Sequence, residues 1–190
     1  MVAIIGEIAS GKTFFINKLK EMGYKIFIAD EYVNYLYQNN DELKKKFIDT
    51  FGDKVIQNNK ISKEFLKQKI NENFETIYLI ESLVFPYIFS HLEHEKYDFA
   101  EIPVLVSKNT NFLTFFDKVI NVVSSPQKIQ IQREKRNVDN SFFKTLNSKN
   151  NDFFHENKLF TKIDVVNIFD YNRENTELIK EFLIDNNILN

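Results

Sequence analysis

Residues 1–13 read MVAIIGEIASGKT, in which an apolar run leads into a loop bounded by two glycines. The loop matches the phosphate-binding pattern G-x-x-x-x-G-K-[ST] at Gly6, Gly11, Lys12 and Thr13. Gly6 and Gly11 allow backbone conformations that a Cβ would forbid, and they let the backbone come close to an anion. The N–H groups of such a loop and of the following helix direct partial positive charge at phosphates. The stretch therefore predicts strand, loop and helix, with a nucleotide-phosphate site in the loop.

Eight consecutive residues form this predicted phosphate loop: Gly6, Glu7, Ile8, Ala9, Ser10, Gly11, Lys12 and Thr13. Lys12 carries a mobile charge that can reach the β- and γ-phosphates, and the Thr13 hydroxyl can ligate Mg²⁺. The alternative is a chance strand–turn–helix with Gly-Lys at its tip. The flanking apolar strand and helical pattern favour the phosphate site, as does the use of two of the chain's four glycines in this loop.

The composition limits the class of protein. At 190 residues, one compact domain is expected. The net charge of −2 argues against a nucleic-acid-binding surface, and no apolar run approaches the ~20 residues of a membrane span. The absence of cysteine excludes disulfides and fits a reducing compartment, and a strand directly at the N-terminus leaves no room for a signal peptide. We expect a cytoplasmic protein without nucleic-acid or membrane partners.

Alternating apolar segments predict an α/β fold. A helix from Lys12 to Met22 ends at Gly23, and residues 25–29 form a second strand, so the start of the chain is a βαβ unit of a parallel sheet. Further strands are predicted at residues 97–103, 118–123 and 165–169, and a C-terminal helix at residues 173–188. The expected fold is a five-stranded parallel sheet with helices on both faces, as in P-loop NTPases.

Two segments are expected to lie outside this sheet while the chain, residues 1–190, remains one domain. Residues 31–95 contain helical patterns, the last of them crossed by Pro86, which should kink or divide it. By analogy with small-molecule kinases, this insertion is predicted to bind the phosphoryl acceptor. Residues 137–162 are polar and are predicted to form a small lid.

Two carboxylates follow predicted strands. Asp30 ends the second strand, at the sheet edge where α/β proteins bind ligands, and could accept the proton of an acceptor hydroxyl during phosphoryl transfer. The alternative for Asp30 is a helix N-cap. Glu101, near the end of the third strand, could hold Mg²⁺ through water, or could be a buried, paired acid.

The chain has only three arginines, and two of them, Arg133 and Arg136, lie one helical turn apart just before the predicted lid. A planar guanidinium suits a transferring phosphoryl group better than a lysine does. This pair is therefore a candidate phosphate contact, with a solvated helix face as the alternative.

Four stretches of the chain resemble the dephospho-CoA kinase family: residues 4–13, 28–31, 101–105 and 130–133. Members of this family phosphorylate the ribose 3′-hydroxyl of dephospho-CoA with ATP and Mg²⁺, which yields coenzyme A. The resemblance implies a five-stranded parallel sheet with a helical acceptor domain and a lid. It also implies a small-molecule partner, and we expect a monomer or a weak homo-oligomer.

By position, the resemblance assigns Lys12 and Thr13 to the ATP phosphates and Mg²⁺, Asp30 to the base on the 3′-hydroxyl, and Arg136 to a lid-side phosphate contact. The chain departs from the family pattern at three positions, Ile28, Phe85 and Ser107, where the family has an acid, a histidine and a glutamate. The alternatives are another small-molecule P-loop kinase, or a nucleotide-binding protein without kinase activity.

Overall fold

The computed structural model describes residues 1–135 and 163–188 of the chain. Its strands, in chain order, are β1 (Val2–Ile5), β2 (Ile26–Ile28), β3 (Ile56–Gln57), β4 (Lys60–Ile61), β5 (Phe99–Glu101), β6 (Lys118–Val122) and β7 (Asp164–Ile168). Its α-helices are α1 (Lys12–Glu21), α2 (Ala29–Asn39), α3 (Asp41–Phe51), α4 (Lys63–Glu72), α5 (Thr76–His94), α6 (Pro126–Lys135) and α7 (Thr176–Asp185). Short 3₁₀ helices cover Asp53–Val55, Phe112–Phe115 and Asp170–Arg173.

The predicted α/β fold is confirmed. Five strands form one parallel sheet in the order β2-β5-β1-β6-β7, so the strand that leads into the phosphate loop lies in the middle. Successive residues of β1, Ala3 and Ile4, are fully buried, and so are Val119 and Ile120 of β6. Because successive strand residues point to opposite faces, both faces of the central sheet are covered.

The described residues divide into two compact units. The first unit comprises the described residues of Met1–Phe27, Tyr97–Leu105 and Leu113–Asn190, and it contains the phosphate loop. Its core is built on the sheet, with Phe15 and Leu19 of α1 and Ile179 and Leu183 of α7 fully buried.

The second unit comprises Ile28–Lys96 and Val106–Phe112. Helix α5 packs against α2, α3 and α4, and β3 and β4 form a small antiparallel hairpin that was not predicted. The predicted insertion, residues 31–95, falls within this unit, and its acceptor role stays a prediction. The predicted lid, residues 137–162, lies outside the described residues.

Pro86 does not divide its helix, because α5 runs as one element from Thr76 to His94. The buried positions Val84, Ile88 and Leu92 recur every four residues, whereas Pro86 and Ser82 are exposed. Proline removes the N–H that would bond the Ser82 carbonyl, and at an exposed position that carbonyl can be hydrated. The apolar face of the helix therefore packs without interruption.

The C-terminal helix also differs from its prediction. Arg173 does not begin an α-helix but closes the 3₁₀ helix Asp170–Arg173, and α7 begins at Thr176 behind an Asn175 N-cap. The Asn175 side chain accepts a hydrogen bond from the Leu178 N–H at 3.0 Å. Within residues 1–135 and 163–188, no helix is long and apolar enough to cross a membrane.

Candidate active site

The phosphate loop joins β1 to α1 with the geometry that its two glycines predict. Gly6 has φ of +149° and Gly11 has φ of +90°, in the region that favours glycine. A Cβ on Gly6 would lie 2.5 Å from the Val122 carbonyl oxygen and 2.9 Å from the Ser10 hydroxyl. Only glycine fits there, because backbone of the neighbouring strand occupies the space of a side chain.

Lys12 is the first residue of α1, and its ammonium group lies over the loop. The Nζ atom donates hydrogen bonds to the carbonyl oxygens of Gly6, at 2.7 Å, and of Glu7, at 3.0 Å. The first turn of α1 contains no acidic residue, so the positive end of the helix dipole is not neutralised locally. A loop with these N–H groups and this lysine is suited to bind phosphates.

Behind the loop lies a polar network that the sequence did not reveal, formed by Ser124, Asp170 and Arg173. Arg173 is only 3% exposed, and its Nη2 atom, which carries two N–H bonds, lies 3.1 Å from the Val123 carbonyl oxygen, 2.6 Å from Ser124 Oγ and 2.5 Å from Asp170 Oδ1. The Ser124 hydroxyl lies 2.9 Å from the Ser10 carbonyl oxygen and 2.7 Å from Asp170 Oδ1. These contacts connect the loop to the ends of β6 and β7.

The network keeps Asp170 ionised. Partial burial by itself raises the pKa of Asp170, but hydrogen bonds from Ser124, Arg173 and Lys128 and the charge of Arg173 outweigh it and lower the pKa to about 2. An ionised carboxylate is what a buried guanidinium needs as a partner, since an unpaired buried charge is strongly unfavourable.

We expect the stability advantage of the wild type over Asp170→Asn to shrink as the pH falls from about 4 to about 2. The folded-state pKa of about 2 lies below the usual 3.8, so the ionised carboxylate stabilises the folded protein above pH 3.8. This stabilisation is lost as the pH falls towards the folded-state pKa, because the acid then becomes protonated in both states. Urea unfolding at about pH 6, 4 and 2.5 measures the free energy of unfolding.

Glu21→Gln is the control for this pH dependence. Glu21 is an exposed acid in the same unit and is paired with Lys18 at 2.7 Å. Pairs at the surface contribute about 0–1 kcal/mol, so the effect of this variant should be small at every pH. A stability difference between wild type and Asp170→Asn that stays constant from about pH 4 to pH 2 would contradict the assigned role of the carboxylate.

The two predicted Mg²⁺ contacts both belong to the first unit. Thr13 is the second residue of α1 and is exposed, and Glu101 is the half-buried last residue of β5, in register with Ile4 of β1. Hydroxyl and carboxylate oxygens are hard donors that suit Mg²⁺, which keeps several waters and needs few protein ligands. Within the described parts of the chain, no cluster of three or more His, Asp or Glu residues could hold a metal by itself. The metal-binding role of Thr13 and Glu101 stays a prediction.

Asp30 belongs to the second unit and is the exposed second residue of α2. The N-cap alternative is wrong, because Ile28 occupies the cap position and α2 begins at Ala29. Burial raises the pKa of Tyr37, and the negative charge of Asp30 raises it further. The role of Asp30 as a base stays a prediction.

The phosphate-binding role of the two candidate arginines stays a prediction as well. Arg133 lies on α6, whereas Arg136 lies outside the described residues. Pro126 is the first residue of α6, as its fixed φ and missing N–H favour.

Comparison with known proteins identifies relatives over most of the chain. The family model described as dephospho-CoA kinase matches residues 1–168. The dephospho-CoA kinase of Protochlamydia amoebophila is 28% identical over 151 residues, which cover 74% of this chain and 73% of that protein. The dephospho-CoA kinase of Rickettsia bellii is 34% identical over 137 residues, covering 70% of this chain and 69% of that protein.

Solved structures share the fold. Dephospho-CoA kinase from Campylobacter jejuni superposes with a TM-score of 0.59 at 19% identity, covering 99% of this chain and 98% of that chain. TT1252 from Thermus thermophilus superposes with a TM-score of 0.61 at 14% identity, covering 97% of this chain and 96% of that chain. At such identities the likeness supports the fold alone.

Proposed function

The chain belongs to the dephospho-CoA kinase family and is an ATP-dependent kinase that converts dephospho-CoA to coenzyme A, and we propose how its residues carry out the transfer. The γ-phosphoryl group passes in line from ATP, bound by residues 6–13, to the ribose 3′-hydroxyl, from which Asp30 accepts the proton. The observation that carries the proposal is the loop geometry, with glycine-specific φ angles at Gly6 and Gly11 and the Lys12 ammonium over the loop.

Lys12 acts on the charge of the transferring group. The N–H groups at the start of α1 and the Lys12 ammonium stabilise negative charge on the β- and γ-phosphate oxygens. Thr13 would hold Mg²⁺ through its hydroxyl, and Glu101 would hold it through water. When bound, Mg²⁺ neutralises charge on the phosphates, and the oxygen donors of these two residues suit that ion.

Asp30 acts on the acceptor, which residues 31–95 bind. Asp30 follows the last residue of β2 by two positions, at the carboxyl end where parallel sheets of this class bind ligands. An exposed carboxylate that is not used as a helix cap is available to accept a proton.

Arg133 and Arg136 complete the site as phosphate contacts from the side of the lid, residues 137–162. Guanidinium groups suit this task because they can form two parallel hydrogen bonds to a phosphoryl group. The enzyme works in the cytoplasm as a monomer or weak homo-oligomer, in line with its lack of cysteine and its small-molecule substrates.

The test is ADP release from ATP and Mg²⁺, measured with and without dephospho-CoA, together with chromatographic detection of coenzyme A. We expect ADP release to depend on dephospho-CoA, with a turnover in the range of about 1–100 per second that is typical of kinases. Adenosine and AMP, offered in place of dephospho-CoA, serve as control acceptors.

Two outcomes would contradict the proposal. ADP release stimulated by another hydroxyl acceptor, but not by dephospho-CoA, would indicate a different small-molecule kinase. Tight binding of ATP with no product on any acceptor would indicate a nucleotide-binding protein that does not transfer phosphate.

A further inference from the structure

The buried guanidinium of Arg173 packs directly against the phosphate loop. A Cβ on Gly11 would lie 2.7 Å from Nη1, 3.3 Å from Cζ and 3.4 Å from Nη2, so the guanidinium fills the place of a side chain at Gly11. Among the described residues, Nη1 has no hydrogen-bond partner, while Nη2 is within bonding distance of three acceptors. A buried N–H group without a partner costs folding free energy, which indicates a second reason for the place of this guanidinium.

Two contacts reach neighbouring residues of the loop from the same network. The guanidinium packs on Gly11, and the hydroxyl of Ser124, which accepts a hydrogen bond from Arg173, lies 2.9 Å from the Ser10 carbonyl oxygen. The peptide bond between Ser10 and Gly11 is therefore contacted on both sides, by Ser124 at the Ser10 carbonyl and by Arg173 at Gly11. This peptide lies directly before Lys12 and the first N–H groups of α1.

We propose that Arg173 is a positioning residue for phosphoryl transfer, which holds the Ser10–Gly11 peptide so that the loop N–H groups and Lys12 are aligned on the nucleotide phosphates. This inference rests on the proposed function, because it concerns the same transfer. Arg173 acts through the loop and through Ser124, and it is assigned no contact with substrate.

The charge of the network supports this role. Asp170 pairs with Arg173 and also with Lys128, whose Nζ lies 3.3 Å from Oδ2. Two cations and one carboxylate leave a net charge of +1 next to a loop that binds anionic phosphates. Positive charge that is fixed before the reaction stabilises the charge that develops during transfer.

Lysine cannot replace arginine in this geometry. The guanidinium is planar, so one nitrogen can lie on Gly11 while the other bonds to Ser124 and Asp170. A lysine has one terminal nitrogen and could pair with Asp170 but would leave the space beside Gly11 unfilled. Arg173→Lys therefore keeps the ion pair and removes the contact with the loop.

The experiment compares Arg173→Lys and Ser124→Ala with the wild type in the dephospho-CoA-dependent assay, together with MgATP affinity by calorimetry and thermal unfolding. We expect Arg173→Lys to reduce kcat by about 10- to 100-fold, since a small displacement of a catalytic group has effects of this size. The Kd of MgATP should rise only severalfold. Ser124→Ala, a milder change that keeps Arg173 in place, should reduce kcat in the same direction.

Lys118→Met is the matched control. Lys118 is a largely buried cation in the same unit, bonded to Asp164 at 3.0 Å and to the Asn186 carbonyl. In the sheet it lies beside Val2, at the end of β1 that is away from the loop. The Lys118→Met substitution should lower the unfolding temperature without changing kcat or the Kd of MgATP. If Arg173→Lys and Ser124→Ala likewise lower only the unfolding temperature, Arg173 is structural and the inference is wrong.

These measurements distinguish a failure of the proposed function from a failure of this inference. A wild type that forms no coenzyme A contradicts the proposed function. The Kd of MgATP would then still test the inference, because it should rise in Arg173→Lys and stay unchanged in Lys118→Met. If Arg173→Lys does not fold, Ser124→Ala decides: an unchanged kcat and Kd in that variant would overturn the inference.

Discussion

Lys12→Ala is expected to lower kcat by about 10²- to 10³-fold, because removal of a single charge-stabilising donor from a preorganised site has effects of this order. In the structure, the ammonium group lies over the loop, 2.7 Å and 3.0 Å from the Gly6 and Glu7 carbonyl oxygens. Its contacts with phosphate oxygens strengthen as charge develops in the transition state, so kcat should fall more than MgATP affinity. Steady-state kinetics with dephospho-CoA and calorimetric titration of MgATP measure the two effects.

The control for this prediction is Lys18→Ala on the same helix. Lys18 pairs with Glu21 at 2.7 Å, an interaction near the surface that contributes about 0–1 kcal/mol to stability. Its replacement removes the same charge from α1 and should leave kcat unchanged. An equal loss of activity in both variants would indicate a general effect of charge on α1, and Lys12 would lose its assigned role.

Asp30→Asn is expected to lower kcat by about 10²- to 10⁴-fold, the usual contribution of general acid–base catalysis. Asparagine has nearly the same size as aspartate but cannot accept the proton of the 3′-hydroxyl. The Kd of MgATP should stay close to that of the wild type, because the phosphate loop itself is unchanged. Single-turnover formation of coenzyme A separates the chemical step from product release.

Glu31→Gln is the matched control for Asp30→Asn. Both acids lie in the first turn of α2 and both are exposed, so each substitution removes one favourable charge from the same helix N-terminus. Glu31→Gln should keep kcat. A fall in kcat matched by an equal fall in MgATP affinity in Asp30→Asn would contradict the assignment of Asp30 as the base.

Much of the fold could be predicted because it depends on short-range patterns. The five strands of the sheet agree with their predicted bounds to within two residues, since each is a compact apolar run closed by turn or helix signals. The β3–β4 hairpin was missed, although Asn58 and Asn59 at its turn both have positive φ, which is typical of asparagine in such turns. Two-residue strands are too short for an alternating pattern to show.

The site could be predicted only in part, and the division has a physical cause. Gly6, Gly11 and Lys12 are neighbours in the chain, so their spacing alone predicts a phosphate loop. Arg173 is more than 160 positions away, and the sequence predicts only that it begins a C-terminal helix, because nothing near it in the chain marks it as buried. Its only signal was its rarity, as one of three arginines.

The sequence by itself determined the βαβ start, the phosphate loop and the parallel sheet, because hydrophobic period, glycine placement and helix signals act over a few residues. Only the tertiary structure decided the strand order β2-β5-β1-β6-β7 and the network of Ser124, Asp170 and Arg173 behind the loop. Both depend on which strands become neighbours. β6 and β7 end side by side, which brings Ser124 within hydrogen-bonding distance of Asp170, 46 positions later, and Val123 within that distance of Arg173, 50 positions later. The same arrangement places the guanidinium of Arg173 against Gly11.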